Sequence, residues 1–191
     1  MAASRKKSSQ SSATVISSET VFEGPIFSVV SERVKEPDGI NVRRDIVRHN
    51  GSVVILAVDE STRPPRVLLE RQYRHAARQR LWELPAGSLE HGENKLSAAK
   101  RELLEETGYT ARRWQRALFF YVSPGFLNES MEVFLARDLK KGKAQPEEDE
   151  RIALRFFPFP QVIRMAMTGK IQDAKTLASL LWLEKRMGPA S

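Results

Sequence analysis

The 191-residue sequence has no cysteine, which excludes disulfides and thiolate metal ligands and leaves oxygen-rich metal chemistry open. Histidine is scarce too: His49, His75 and His91 form neither a nucleophile–His–Asp arrangement nor a paired-histidine metal spacing. No apolar run approaches the length needed to cross a bilayer. The opening MAASRKKSSQSSATV carries basic residues but no apolar stretch, so it is not a secretory signal. Rich in Ser and poor in acid, residues 1–16 read as a disordered leader, with a transit peptide as the alternative. A cytoplasmic protein with no membrane association is the expectation.

Acidic residues are outnumbered. Lys and Arg total 31 against 24 Asp and Glu, a net charge of +7. Arg5, Lys6 and Lys7 lie in the leader, and Arg63, Arg66, Arg71, Arg74, Arg78 and Arg80 crowd into one segment. Such a surface can bind nucleic acid through counterion release or steer a small phosphorylated substrate. Composition does not choose between them.

The pattern divides the chain. From 17 to 49, short β-prone runs around Gly24-Pro25 and Pro37-Asp38-Gly39 predict a three-stranded antiparallel unit. Three strands bury little alone, so this unit must dock on the main domain or on a partner chain. The main domain is expected over 50–187, with 188–191 as a tail. Val53 to Val58 is a continuous apolar run suited to a buried strand. Strands follow at Val67 to Gln72, Leu118 to Val122, Met131 to Leu135 and Ile152 to Phe157. Helices are expected from Glu93 to Thr107 and after Pro160 and Asp173. The order predicts an α/β fold, a mixed sheet between helices.

The informative stretch is GSLEHGENKLSAAKRELLEETGY, Gly87 to Tyr109. At helical spacing Ala98, Glu102 and Glu106 stack on one face with Glu105 beside them, while Leu96, Ala99 and Leu103 follow a second stripe. Like charges four residues apart repel, more so at the negative end of the helix dipole. A divalent cation between them relieves that repulsion, and carboxylate oxygens suit Mg²⁺ or Mn²⁺. The plainer alternative is a solvated charged face with Arg101 paired to Glu105.

The fixed spacing breaks the tie. Gly87, Glu93, Arg101, Glu102, Glu105, Glu106 and Gly108, with apolar Leu103, resemble the Nudix box at every fixed position. Tyr109 departs mildly by being aromatic where an aliphatic residue is usual. The resemblance implies an α/β/α sandwich in which Glu102, Glu105, Glu106 and the Ala86 carbonyl hold catalytic metal. It also implies that Glu93 and Arg101 form a bracing ion pair, with Gly87 and Gly108 structural. RQYRHAARQRLWELPAG, YVSPGFLNE and KIQDAKTLASLLW are similar to the ADP-ribose pyrophosphatase subfamily, Pro124 lying fifteen residues after Tyr109.

By that resemblance Arg71 and Arg74 face phosphate, Trp82 and Glu83 line the approach to the box, and Glu129 meets the terminal ribose or the metal-bound water. Glu150, in Pro146-Glu147-Glu148-Asp149-Glu150, takes the place of a loop glutamate acting as general base. Catalysis then falls to Glu150, Glu105 and Glu106, on a small nucleotide sugar, in a homodimer joined through the N-terminal β unit. Another nucleotide sugar such as GDP-mannose or ADP-glucose is the close alternative. An RNA-binding protein on the same scaffold is the distant one, since the intact glutamates argue against it.

Overall fold

The computed structural model describes residues 12–142 and 152–187. The leader before residue 12, the acidic stretch holding Glu147, Glu148 and Glu150, and the tail 188–191 lie outside the described residues. The chain divides into two compact units, one of residues up to 49 together with 122–129, the other of the remainder.

In the first unit β1 (Thr14–Glu23), β2 (Phe27–Lys35) and β3 (Asn41–His49) form an antiparallel sheet in the order β1-β2-β3. The strand begins at Thr14 rather than Ser17. Its alternating Val15, Ser17 and Glu19 carry no apolar face to signal it, and all ten residues are exposed. Pro37-Asp38-Gly39 turns the chain, with Gly39 at φ +89° where a side chain is strained. Residues 122–129, expected as a turn of the main domain, belong to this unit. Val47 N–H donates to the Phe126 carbonyl at 2.8 Å, and Asn128 N–H to the Val47 carbonyl at 3.1 Å. Val15, Ile16, Val21, Phe22, Ile26 and Phe27 are exposed.

The second unit is a mixed sheet between helices, an α/β/α sandwich. It holds β4 (Ser52–Asp59), β5 (Arg66–Arg74), β6 (Gln79–Glu83), β7 (Ala86–Ser88), β8 (Tyr109–Tyr121), β9 (Ser130–Lys141) and β10 (Ala153–Pro158). The order is β10-β5-β4-β9-β8, with β6 on β5 and β7 on β4. Among the described strands, β4 and β9 are the pair that runs parallel. Side chains alternate along a strand, so β4 serves both layers. Val53, Ile55 and Ala57 face α1 (Lys95–Thr107), with Ala98, Ala99 and Leu103. Val54, Leu56 and Val58 meet α2 (Phe159–Met167) and α3 (Ala174–Met187) through Val162, Met165, Leu180 and Leu183.

Two elements depart from the sequence expectation. β8 covers thirteen residues, because TARRWQR pairs along β9 as a polar edge strand. The helix starts at Lys95, since the Asn94 side chain accepts from the N–H groups of Leu96 and Ser97 at 3.0 and 3.2 Å. Such a cap contributes about 1 kcal/mol. Gly108 closes the helix at φ 70°, its N–H donating to the Leu104 carbonyl at 2.8 Å. No helix among the described residues is long and apolar enough to cross a membrane.

Candidate active site

The lead-in to the carboxylate helix is pinned at five consecutive residues. The buried Glu83 carboxylate contacts the Lys175 ammonium. Leu84 N–H donates to Thr176 Oγ1 at 2.8 Å. The Pro85 carbonyl accepts from Ile55 N–H at 2.8 Å. Ala86 N–H donates to Glu106 Oε2 at 3.2 Å. At Gly87 a Cβ would stand 2.0 Å from Glu102 Cδ, so the carboxylate of α1 lies directly on the glycine backbone. A chain held this way presents its carbonyls in one geometry, which is what a binding site on a rigid element requires.

On α1, Glu106 is only 6% exposed. Arg101 gathers the other acids: Glu93 through two contacts of 3.1 and 3.0 Å, Glu102 at 2.8 Å and Glu105 at 2.9 Å. The Glu93 hydrogen bonds, then those of Glu105 and the charge of Glu102, raise the Arg101 pKa further above its already high value. The same Arg101 hydrogen bonds hold the Glu93 carboxyl below its usual range. Both pairings read from sequence are therefore present at once, Arg101 with Glu93 and Arg101 with Glu105.

Among the described residues no three acidic or histidine side chains converge closely enough to hold an ion as they stand. The reason is local: Arg101 draws on Glu102 and Glu105, while Glu106 turns to the Ala86 N–H. The donors nonetheless fit a hard divalent cation. They are all oxygen, they sit on adjoining turns of one helix, and the glycine beneath Glu102 leaves no side chain in the way.

The arginine-rich strand is arranged differently from expectation. Arg74 forks onto Glu83 through Nε and Nη2, both at 2.9 Å, so the two residues form one ion pair. Burial alone would push the Glu83 carboxyl up. The Arg74 hydrogen bonds and the Lys175 charge outweigh it and hold the group below its ordinary range. Arg71 is exposed, its guanidinium 5.7 Å from the Trp82 ring centroid. Trp82 is half-buried and meets Phe157 edge-on at 4.9 Å, joining the core beneath α2 and α3. Glu129 belongs to the first unit, its carboxylate 3.8 Å from His49 Nδ1. Glu150 lies outside the described residues.

Sequence reading missed Glu70, fully buried and the cross-strand partner of Glu83. It also missed Lys175 and Thr176, absorbed into an amphipathic helix pattern. A signal existed in Asp173-Ala174-Lys175-Thr176, a capping acid followed by a lysine and a threonine near the helix start.

Residues 48–180 match the NUDIX domain family model. The chain is 35% identical to an ADP-ribose pyrophosphatase of Bacillus subtilis (strain 168), covering 88% of this chain and 91% of the relative. It is 38% identical to an ADP-ribose pyrophosphatase of Mycobacterium tuberculosis (strain ATCC 25618 / H37Rv), covering 87% and 80%. A solved structure of an ADP compounds hydrolase superposes with a TM-score of 0.79 over 94% of this chain and 96% of that one. At 20% identity that likeness bears on the fold alone.

Proposed function

Because the chain belongs to the NUDIX domain family, we propose that it hydrolyses the diphosphate bond of a nucleoside diphosphate sugar. The favoured substrate is ADP-ribose, giving AMP and ribose 5-phosphate. The observation that carries this reading is the carboxylate face of α1 set against a backbone pinned residue by residue from Glu83 to Gly87. The two ADP-ribose pyrophosphatases among its relatives support the substrate class.

Glu102, Glu105 and Glu106, with the Ala86 carbonyl, would hold Mg²⁺ or Mn²⁺. A cation held there would supply charge to neutralise the diphosphate and to make the attacking water more acidic. Arg101 donates to Glu102 and Glu105 and orients them. Arg74 keeps one edge on Glu83, leaving Nη1 and one Nη2 hydrogen for a phosphate oxygen. Trp82 would meet the nucleobase. The first unit, with its exposed Val15, Ile16, Phe22 and Phe27, joins two copies as a homodimer.

Glu150 accepts the proton of the attacking water. Replacing Glu150 by Gln is expected to lower kcat by about a hundredfold, the lower end of the range for general base catalysis, with KM little changed. An equal loss in Glu147→Gln would overturn the choice of Glu150.

The substrate is tested by incubating ADP-ribose, ADP-glucose and GDP-mannose with the protein and Mg²⁺ and separating the products. AMP and ribose 5-phosphate from ADP-ribose, at the highest kcat/KM of the three, is the expected result. Preference for GDP-mannose would overturn the substrate, and no turnover of any would overturn the reaction.

A further inference from the structure

We propose that Lys175, at the start of α3, is a positioning residue for the diphosphate site, acting through Glu83 on Arg74. The inference rests on the proposed function in one respect: it takes Arg74 to contact the substrate's phosphates.

Lys175 is 7% exposed, and Glu83 is 1% exposed. An ammonium carried into such surroundings is costly unless paired, and an apolar residue of similar volume commonly serves packing as well or better. The charge therefore calls for a role beyond filling space. Its contacts supply one. Lys175 Nζ meets Glu83 Oε2, the same oxygen that takes Arg74 Nη2 at 2.9 Å, while Glu83 Oε1 takes Arg74 Nε at 2.9 Å. One carboxylate oxygen is thus shared between two cations.

That sharing has a positional consequence. Lys175 is itself met by Asp173, so the two cations and the two carboxylates Glu83 and Asp173 balance in charge. What Lys175 contributes is a fixed place for the buried Glu83 carboxylate, and through it for the Arg74 guanidinium. An anion then meets a guanidinium already held in one orientation, the condition for bidentate phosphate recognition.

The helix start also holds Lys175 in register with the rest of the site. Asp173 Oδ1 accepts from Lys175 Nζ at 3.0 Å. The other oxygen, Asp173 Oδ2, accepts from the Thr176 N–H at 3.0 Å and from Thr176 Oγ1 at 2.6 Å. Thr176 Oγ1 in turn accepts the Leu84 N–H at 2.8 Å. Adjacent residues of α3 therefore grip adjacent residues of the lead-in, Lys175 on Glu83 and Thr176 on Leu84. A shift of this helix start moves Arg74 and the Ala86–Gly87 backbone together.

The test is a double-mutant cycle of Lys175→Met with Arg74→Ala, read by calorimetric binding of ADP and by steady-state turnover of ADP-ribose, with melting temperatures alongside. Lys175→Met is expected to raise the Kd for ADP and the KM by about tenfold, the scale on which partners of binding groups act, with kcat little changed. Lys175→Arg should recover most of that loss. In the Arg74→Ala background the same substitution should add less than about twofold, since the two act as one unit. Lys175→Gln, which keeps a hydrogen-bond donor but not the charge, replaces Met if that variant does not fold, and should behave like it. Unchanged ADP binding in both uncharged variants, or a penalty that adds in full to that of Arg74→Ala, would overturn the proposal. ADP binding that depends on Lys175 through Arg74, without turnover of ADP-ribose, would sink the substrate reading and leave this inference standing.

Discussion

Replacing Glu106 by Gln is expected to cut kcat by at least about a hundredfold, since even groups that merely support a metal ligand act on that scale. The fold should survive. Glu106 is buried beneath the lead-in and accepts the Ala86 N–H through Oε2. A glutamine has the same shape and an acceptor oxygen for that bond, so stability should change by no more than about 1 kcal/mol, the worth of one hydrogen bond. What the amide lacks is the negative charge. Steady-state kinetics beside a thermal melt separates the two effects. Full activity in a well-folded variant would remove Glu106 from the metal-holding set.

Gly87→Ala tests the same surface from the other side. The new methyl would sit 2.0 Å from Glu102 Cδ and 2.1 and 2.4 Å from its two oxygens. Either Glu102 leaves or β7 gives way, and β7 is paired to β4 through Val53. Overpacking of this kind costs about 1–3 kcal/mol. The larger effect should be on turnover, because displacing a positioned group by about 1 Å can cost a hundredfold. Weakened Mg²⁺ binding by calorimetry should accompany the loss. Wild-type kinetics and metal affinity would mean that Glu102 moves aside without consequence, and its assigned role would fail.

The parts of the fold legible in sequence are those set by local rules. The apolar run Val53 to Val58 suits a strand buried on both faces, and so it is. Gly108 ends the helix because a left-handed residue is needed there. Even the later helix start has a local cause, a cap by Asn94 in place of the start at Glu93 that the pattern predicts. The polar strand β8 was hidden because an edge strand exposed to solvent needs no apolar alternation. Residues 122–129 read as a simple turn, since pairing with Val47 depends on contacts far apart in the chain.

The site divides along the same line. Glu102, Glu105 and Glu106 share one helix, so their mutual placement follows from a period of 3.6 residues. The union of Arg74 with Glu83 crosses two strands four positions out of register, Glu83 lying opposite Glu70, and Lys175 reaches Glu83 from 92 positions away. Periodicity carries no record of such partners. A lysine among leucines looks like one more polar residue until the carboxylate it faces is known.

The most direct measurement is a crystal structure grown with Mg²⁺ and a non-hydrolysable ADP-ribose analogue. Metal density bounded by Glu102, Glu105, Glu106 and the Ala86 carbonyl, with the analogue's diphosphate against it, is the result expected. A diphosphate bound away from α1, or metal ions ligated elsewhere while those three glutamates keep only their contacts to Arg101 and the Ala86 N–H, would contradict it.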